Sequence, residues 1–129
     1  MTPDELAKAC ADAMWADDHA SRALGMRIVD VAPGRATVAM PVRPDMVNGH
    51  GTAHGGFAFA CNSRNVASVA YHGDITYLAP AAAGDELVAV AEERSLVGRT
   101  GTYDVSVHAG GRVVAEFLGT SRSVGGTVL

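Results

Sequence analysis

The sequence predicts an α+β fold, a curved antiparallel β-sheet wrapped around one central α-helix. Three observations predict it. A hydrophobic period of two runs through most of the chain after residue 66. Short turns carrying glycine separate those runs. One compact apolar run, Phe57 to Cys61, follows Gly55-Gly56 and is the one internal segment suited to cover the apolar side of such a sheet.

Thr2-Pro3-Asp4-Glu5 opens a helix expected over 3–15. Thr2 caps it, Pro3 suits the first turn because its missing N–H has no partner there, and Glu5 completes a capping box. Leu6, Cys10 and Met14 recur four apart and predict one narrow apolar stripe. A second short turn is expected from Asp17 to Leu24, stopped at Gly25. From Met26 the period changes to two. Met26–Val31 and Arg35–Val42 flank Ala32-Pro33-Gly34 and predict a hairpin, with Ala36, Val38, Met40 and Val42 on one face. Arg43 to Ala53, with Asn48-Gly49 and Gly51, predicts a loop. Four strand runs follow: Ala67–Leu78, which changes character at Gly73, then Glu86–Val97, Thr100–Ala109 and Arg112–Val124. Gly110-Gly111 is a strong signal for a two-residue hairpin. Tyr103, Val105 and Val107 alternate with Thr102, Asp104, Ser106 and His108, the pattern of a half-buried antiparallel strand. No repeat or linker interrupts the series, and one domain is expected over 1–129.

Apolar residues make up 48% of the 129, enough for a core, yet aromatics are only 5%. A core of alanine, valine and glycine requires close approach between elements. The net charge of -4 opposes a broad nucleic-acid footprint and obliges any anionic ligand to find a local group of arginines. Cys10 and Cys61 are scattered thiols that suit a reducing compartment better than a disulfide framework. The first residues lack the basic and apolar regions of a signal peptide, and nothing approaches the ~18 apolar residues of a membrane span. A soluble, cytoplasmic protein with no nucleic-acid or membrane partner is expected.

The chemically informative segment is Asn48-Gly49-His50-Gly51-Thr52-Ala53-His54-Gly55-Gly56. Two glycines where a loop meets a helix leave backbone N–H groups open to a ligand. Those donors and the positive end of the helix dipole suit a developing oxyanion. His50 and His54 lie in a glycine-rich loop with no third ligand following, so no metal is expected. Cys61, inside the apolar run, reads as inert packing, and Ser63 lacks a nucleophile elbow. His19, His72 and His108 read as structural or solvent-facing, and Arg64, Arg94 and Arg122 as solvated surface.

That segment, then Phe59-Ala60-Cys61-Asn62-Ser63, Asp74-Ile75-Thr76-Tyr77-Leu78 with Pro80, Gly84-Asp85, and Gly98-Arg99-Thr100-Gly101-Thr102-Tyr103-Asp104-Val105, together resemble the hotdog-fold acyl-CoA thioesterases of the phenylacetic-acid-degradation type, in order and over nearly the whole chain. The resemblance implies a hotdog fold and hydrolysis of acyl-CoA thioesters, phenylacetyl-CoA or a related aryl or medium acyl-CoA, to free acid and CoA. It implies that Asn48 orders the pocket or its water, that His54 fixes the loop and meets the thioester, and that the N–H groups of Gly55 and Gly56 polarise the carbonyl. Gly51, Thr76, Tyr77, Arg99 and Thr100 are the expected substrate contacts, Arg99 with the phosphates at the nucleotide end. No cofactor is expected, CoA being part of the substrate. Sheet edges and sites shared between chains lead to an expected homodimer and homotetramer.

The sequence departs from the family in one respect. The resemblance implies a carboxylate one to two turns into the helix, which activates the attacking water. Between Gly55 and Asn65 there is no Asp or Glu. A helix crossing a curved sheet needs about 14 residues, and this run is shorter. A non-catalytic acyl-CoA-binding protein is therefore one alternative. A hotdog hydratase or dehydratase is another, although it would want an Asp/His pair and only His54 is suitably placed.

Overall fold

The fold is that of a computed structural model, which describes residues 1–46, 68–127 and 129. Helix α1, Pro3–Ala16, starts as its capping box dictates. The Thr2 hydroxyl accepts from the Glu5 N–H at 3.1 Å, and the Glu5 carboxylate accepts from the Thr2 N–H at 2.7 Å. Its buried face is not the stripe Leu6, Cys10, Met14. Ala7, Cys10 and Ala11 are buried, while Met14 is 42% exposed. Small side chains let α1 lie close against the first strand, and a face led by leucine and methionine would hold it off. Helix α2, His19–Ala23, is capped by Asp18, whose carboxylate accepts from the Ser21 N–H at 3.0 Å.

Six strands follow: β1 (Arg27–Ala32), β2 (Arg35–Pro41), β3 (Ser68–Tyr77), β4 (Glu86–Val97), β5 (Thr100–Ala109) and β6 (Arg112–Ser123). A 3-10 turn, Pro44–Met46, stands just after β2 within the expected loop. All neighbouring strands are antiparallel, and the order across the sheet is β1-β2-β4-β5-β6-β3. Gly110 and Gly111 join β5 to β6 with φ of 55° and 83°, the left-handed pair that a tight hairpin of this twist requires. The third strand is not interrupted at Gly73. Its irregularity is a bulge between Ala70 and His72, and pairing with β6 continues through Gly73 to Tyr77. The expected central helix after Gly56 lies outside the described residues. Among the described residues no helix is long and apolar enough to cross a membrane.

Register sorts the side chains into two faces. Ala36, Ala91, Val105, Phe117 and Ile75 stand in one cross-strand row, and Val38, Ala89, Val107, Ala115 and Tyr77 in the next. Most of these are buried, and they join Met40, Leu87, Ala109 and Val114 in the core. The other face carries Thr37, Val90, Ser106, Glu116 and Thr76 in register. The expected alternation in β5 is thus observed.

One aromatic ring sets the packing at the β3–β6 side. A Cβ built on Gly119 would lie 2.7 Å from Phe117 Cε1, and one on Gly73 2.8 Å from Phe117 Cζ. The ring therefore occupies the space that side chains at both positions would need. Gly119→Ala is expected to destabilise the fold by about 1–3 kcal/mol through this overlap. In a Phe117→Leu background the added cost of Gly119→Ala should largely vanish. A double-mutant cycle by urea denaturation checks this, and additive effects would count against the ring as the cause.

Candidate active site

Asn48, Gly51, His54, Gly55 and Gly56 lie outside the described residues, as do His50, Cys61, Ser63 and Arg64. The frame from which their segment departs is described. Val42, the residue after β2, donates its N–H to the Asp85 carbonyl at 2.8 Å and accepts from the Gly84 N–H at 2.9 Å. The Asp85 carboxylate accepts from the Ala82 N–H at 2.9 Å and from Arg112 Nη2 at 3.2 Å, and Arg112 Nη2 also donates to the Pro80 carbonyl. Arg43 ties the same corner to α2, donating to the Ala23 carbonyl at 3.1 Å and to Asp45. Gly84-Asp85, picked out in the sequence only as part of a pattern, thus anchors the exit of β2. The partner Arg112, 27 residues on, could not have been found from local sequence.

Thr76 and Tyr77 end β3, and both are exposed, Tyr77 at 60%. Arg99 stands in the turn between β4 and β5, exposed, and Thr100 begins β5. The structure does not bring these two pairs together within one chain. Tyr77 is paired with Ala115 and Thr100 with Arg122, so a length of β6 from 115 to 122 separates them, about 23 Å at the rise of an extended strand. They occupy opposite ends of the sheet. Arg122 itself lies over the Tyr71 ring, 5.9 Å from its centroid, and the Ser123 N–H donates to the Arg99 carbonyl at 2.8 Å.

A cavity of about 360 Å³ opens among Val90, Glu92, Asp104, Val105, Ser106 and Glu116. Its three carboxylates make it unfit for an anionic ligand. Glu92 and Asp104 are held instead by Arg35 at 3.5 Å and Arg94 at 3.8 Å. His108 shares a 3.0 Å hydrogen bond with Ser106, while His19 and His72 are exposed.

The profile of the thioesterase superfamily matches residues 51–116. Acyl-coenzyme A thioesterase PaaI of Escherichia coli (strain K12) is 41% identical over 128 residues, covering 92% of this chain and 91% of the relative. That stretch is longer than the part of this chain it covers, about 119 residues, so the relative carries positions that this chain lacks. The solved structure of the E. coli PaaI protein from the phenylacetic acid degradation operon superposes with a TM-score of 0.93 at 38% identity, covering 98% of this chain and 99% of that one. The TT0310 protein from Thermus thermophilus superposes with a TM-score of 0.75 at 42% identity, covering 81% and 96%. The six-stranded antiparallel sheet is accordingly that of a hotdog fold.

The Asp85 carboxyl is held below its ordinary value, first by the Ala82 N–H, against opposing desolvation, and then by Arg112. The folded state therefore binds this proton less readily than the unfolded chain. The stabilisation is present above the ordinary carboxylate value and is lost as pH falls through the lowered one. Asp85→Asn should be less stable than the unsubstituted chain at pH 7, and the difference should close as pH drops below about 4. Thermal melts across pH 3–7 check this; a gap independent of pH would count against the assignment.

Proposed function

We propose that this chain, which belongs to the thioesterase superfamily, hydrolyses acyl-CoA thioesters, with phenylacetyl-CoA or a related aryl or medium acyl-CoA as its preferred substrate. The observation that carries this reading is the likeness, over nearly the full chain, to the E. coli protein of the phenylacetic acid degradation operon. The Asn48–Gly56 motif supports a mechanism. The Gly55 and Gly56 N–H groups polarise the thioester carbonyl, water adds to its carbon and gives up a proton to solvent, and the tetrahedral oxyanion collapses with cleavage of the C–S bond, the CoA thiolate leaving and taking up a proton. Asn48 positions the water, and His54 holds the corner against the thioester. Residues 55–65 offer no carboxylate to take the proton from water.

Sharing of the site between two copies accounts for the separation of Thr76–Tyr77 from Arg99–Thr100. Strand β3 is an edge of the sheet, with Tyr71 65%, Tyr77 60% and Leu78 53% exposed. Its free backbone groups and apolar side chains suit antiparallel pairing with the same strand of a second copy. That pairing runs the partner strand in the opposite direction and carries the second copy's Arg99 end toward this chain's Tyr77 end. The assembly is then a homodimer, and two such dimers associate as a homotetramer. The cytoplasm is its location, in keeping with a buried, unpaired Cys10.

A competing reading, binding of acyl-CoA without turnover, is favoured by the missing acid alone. Thiol release from phenylacetyl-CoA decides between them. Saturable release that scales with protein concentration is expected. If the protein binds the ester but releases thiol no faster than buffer, the hydrolysis reading is lost. Light scattering should give at least twice the 13.2 kDa chain mass, and a monomer would remove the shared site.

A further inference from the structure

From Ala115 onward, every second residue of β6 faces the core, namely Ala115, Phe117, Gly119 and Ser121. Ser121 is the polar member of that series and is only 9% exposed, and among the described residues no other polar side chain is buried. Arg122, the next residue, is exposed on the opposite face. The Ser121 hydroxyl has no hydrogen-bond partner among the described residues. A hydroxyl withdrawn from water and left unbonded destabilises the fold. Serine at this position therefore calls for a polar group from elsewhere.

Tyr103 brings a second hydroxyl to the same place. Ser121 pairs with Gly101 across β5 and β6, and Tyr103, two residues on from Gly101, shares its face. The half-buried Tyr103 ring folds back over Gly101, with Oη 2.8 Å from where a Cβ there would stand. Cross-strand Cβ positions lie ~5 Å apart, so the Tyr103 and Ser121 hydroxyls open on one small space floored by glycine. Tyr103 Oη likewise has no hydrogen-bond partner among the described residues.

Two hydroxyls around a small space suit a water molecule, since each oxygen can donate or accept and a held water needs several polar partners. Ser121 stands one strand in from the sheet edge, across from Ala70 of β3. Antiparallel pairing of two β3 strands carries this corner of one copy toward the Tyr77 end of the other. We propose that Ser121, with Tyr103, holds the water that attacks the thioester, in the site whose Asn48 and Gly55-Gly56 belong to the other copy. The inference rests on the hydrolysis and shared-site reading of the preceding subsection and adds these two residues to it. The hydroxyls aim a lone pair of the water at the carbonyl carbon through hydrogen bonds and exchange no proton with it. As the O–C bond forms, the proton of the water passes to solvent. The C–S bond then breaks, and the departing thiolate takes up a proton.

The test uses the full chain and thiol release from phenylacetyl-CoA. Ser121→Ala is expected to lower kcat about tenfold with KM unchanged, the loss of one hydrogen bond to the reacting water. Ser121→Thr, which keeps the hydroxyl, should restore most of that loss, and Tyr103→Phe should lower kcat to a smaller extent. Ser121→Ala should melt no lower than the unsubstituted chain, because the hydroxyl it removes bonds to nothing in the fold. A lowered melting temperature with unchanged kcat would make Ser121 a core residue and overturn the proposal. Ser121→Ala and Asn48→Ala chains, each impaired alone, should on co-expression recover about a quarter of the unsubstituted activity, since about half of random dimers are mixed and each of those holds one intact site. Absence of recovery would overturn the placement of Ser121 opposite the other copy's loop. If the unsubstituted protein releases no thiol, the hydrolysis reading falls and this inference with it; if it does and Ser121→Ala keeps full kcat, this inference alone falls.

Discussion

A sheet core built from small side chains governs this structure. Ala36, Ala39, Ala91, Ala109 and Ala115 are buried alongside Val38, Val105 and Val107, and among the described residues no aromatic side chain is fully buried. Each side chain contributes little area, so stability comes from close contact over many positions and not from a few large ones. The same constraint explains the helix face that α1 buries, Ala7, Cys10 and Ala11. It also explains the placement of Phe117, the largest side chain packed at the core, whose ring lies over two positions that carry no side chain.

Much of this was legible because each strand states its own period. The bounds of β4 and β5 are those read from alternation and flanking glycines, and β6 ends one residue earlier than expected. Local pattern misleads where tertiary packing overrides it. Met14 completes an i, i+4, i+8 stripe and is nonetheless exposed, because a four-residue repeat drifts around a helix of 3.6 residues per turn and smaller neighbours fit closer. Gly73 marks a change of character within one strand, and the structure gives the reason, since a ring from the neighbouring strand needs the space there. The placement of β3 at the far edge, beside β6, carries no local signal at all, since strand order is set by which faces must be covered.

The candidate site was legible to different degrees. The segment Asn48 to Gly56 stands out in the sequence through its glycines and histidines, and it lies outside the described residues. Asp85 and Arg112 acquire meaning only once the β5–β6 hairpin brings them to the exit of β2. Hydrogen-bond networks between segments distant in sequence are invisible to periodicity.

The bulge between Ala70 and His72 has a consequence for how the protein avoids uncontrolled association. An exposed outer strand is a template on which any extended peptide could add, chain after chain. An extra residue bends that template and divides it into two regular stretches, Ser68–Ala70 and His72–Tyr77. A strand with a matching offset can still dock there, and one that presents a long straight ladder cannot. The irregularity thereby acts as a filter on which sequences the edge accepts, and it protects the chain against fibre growth.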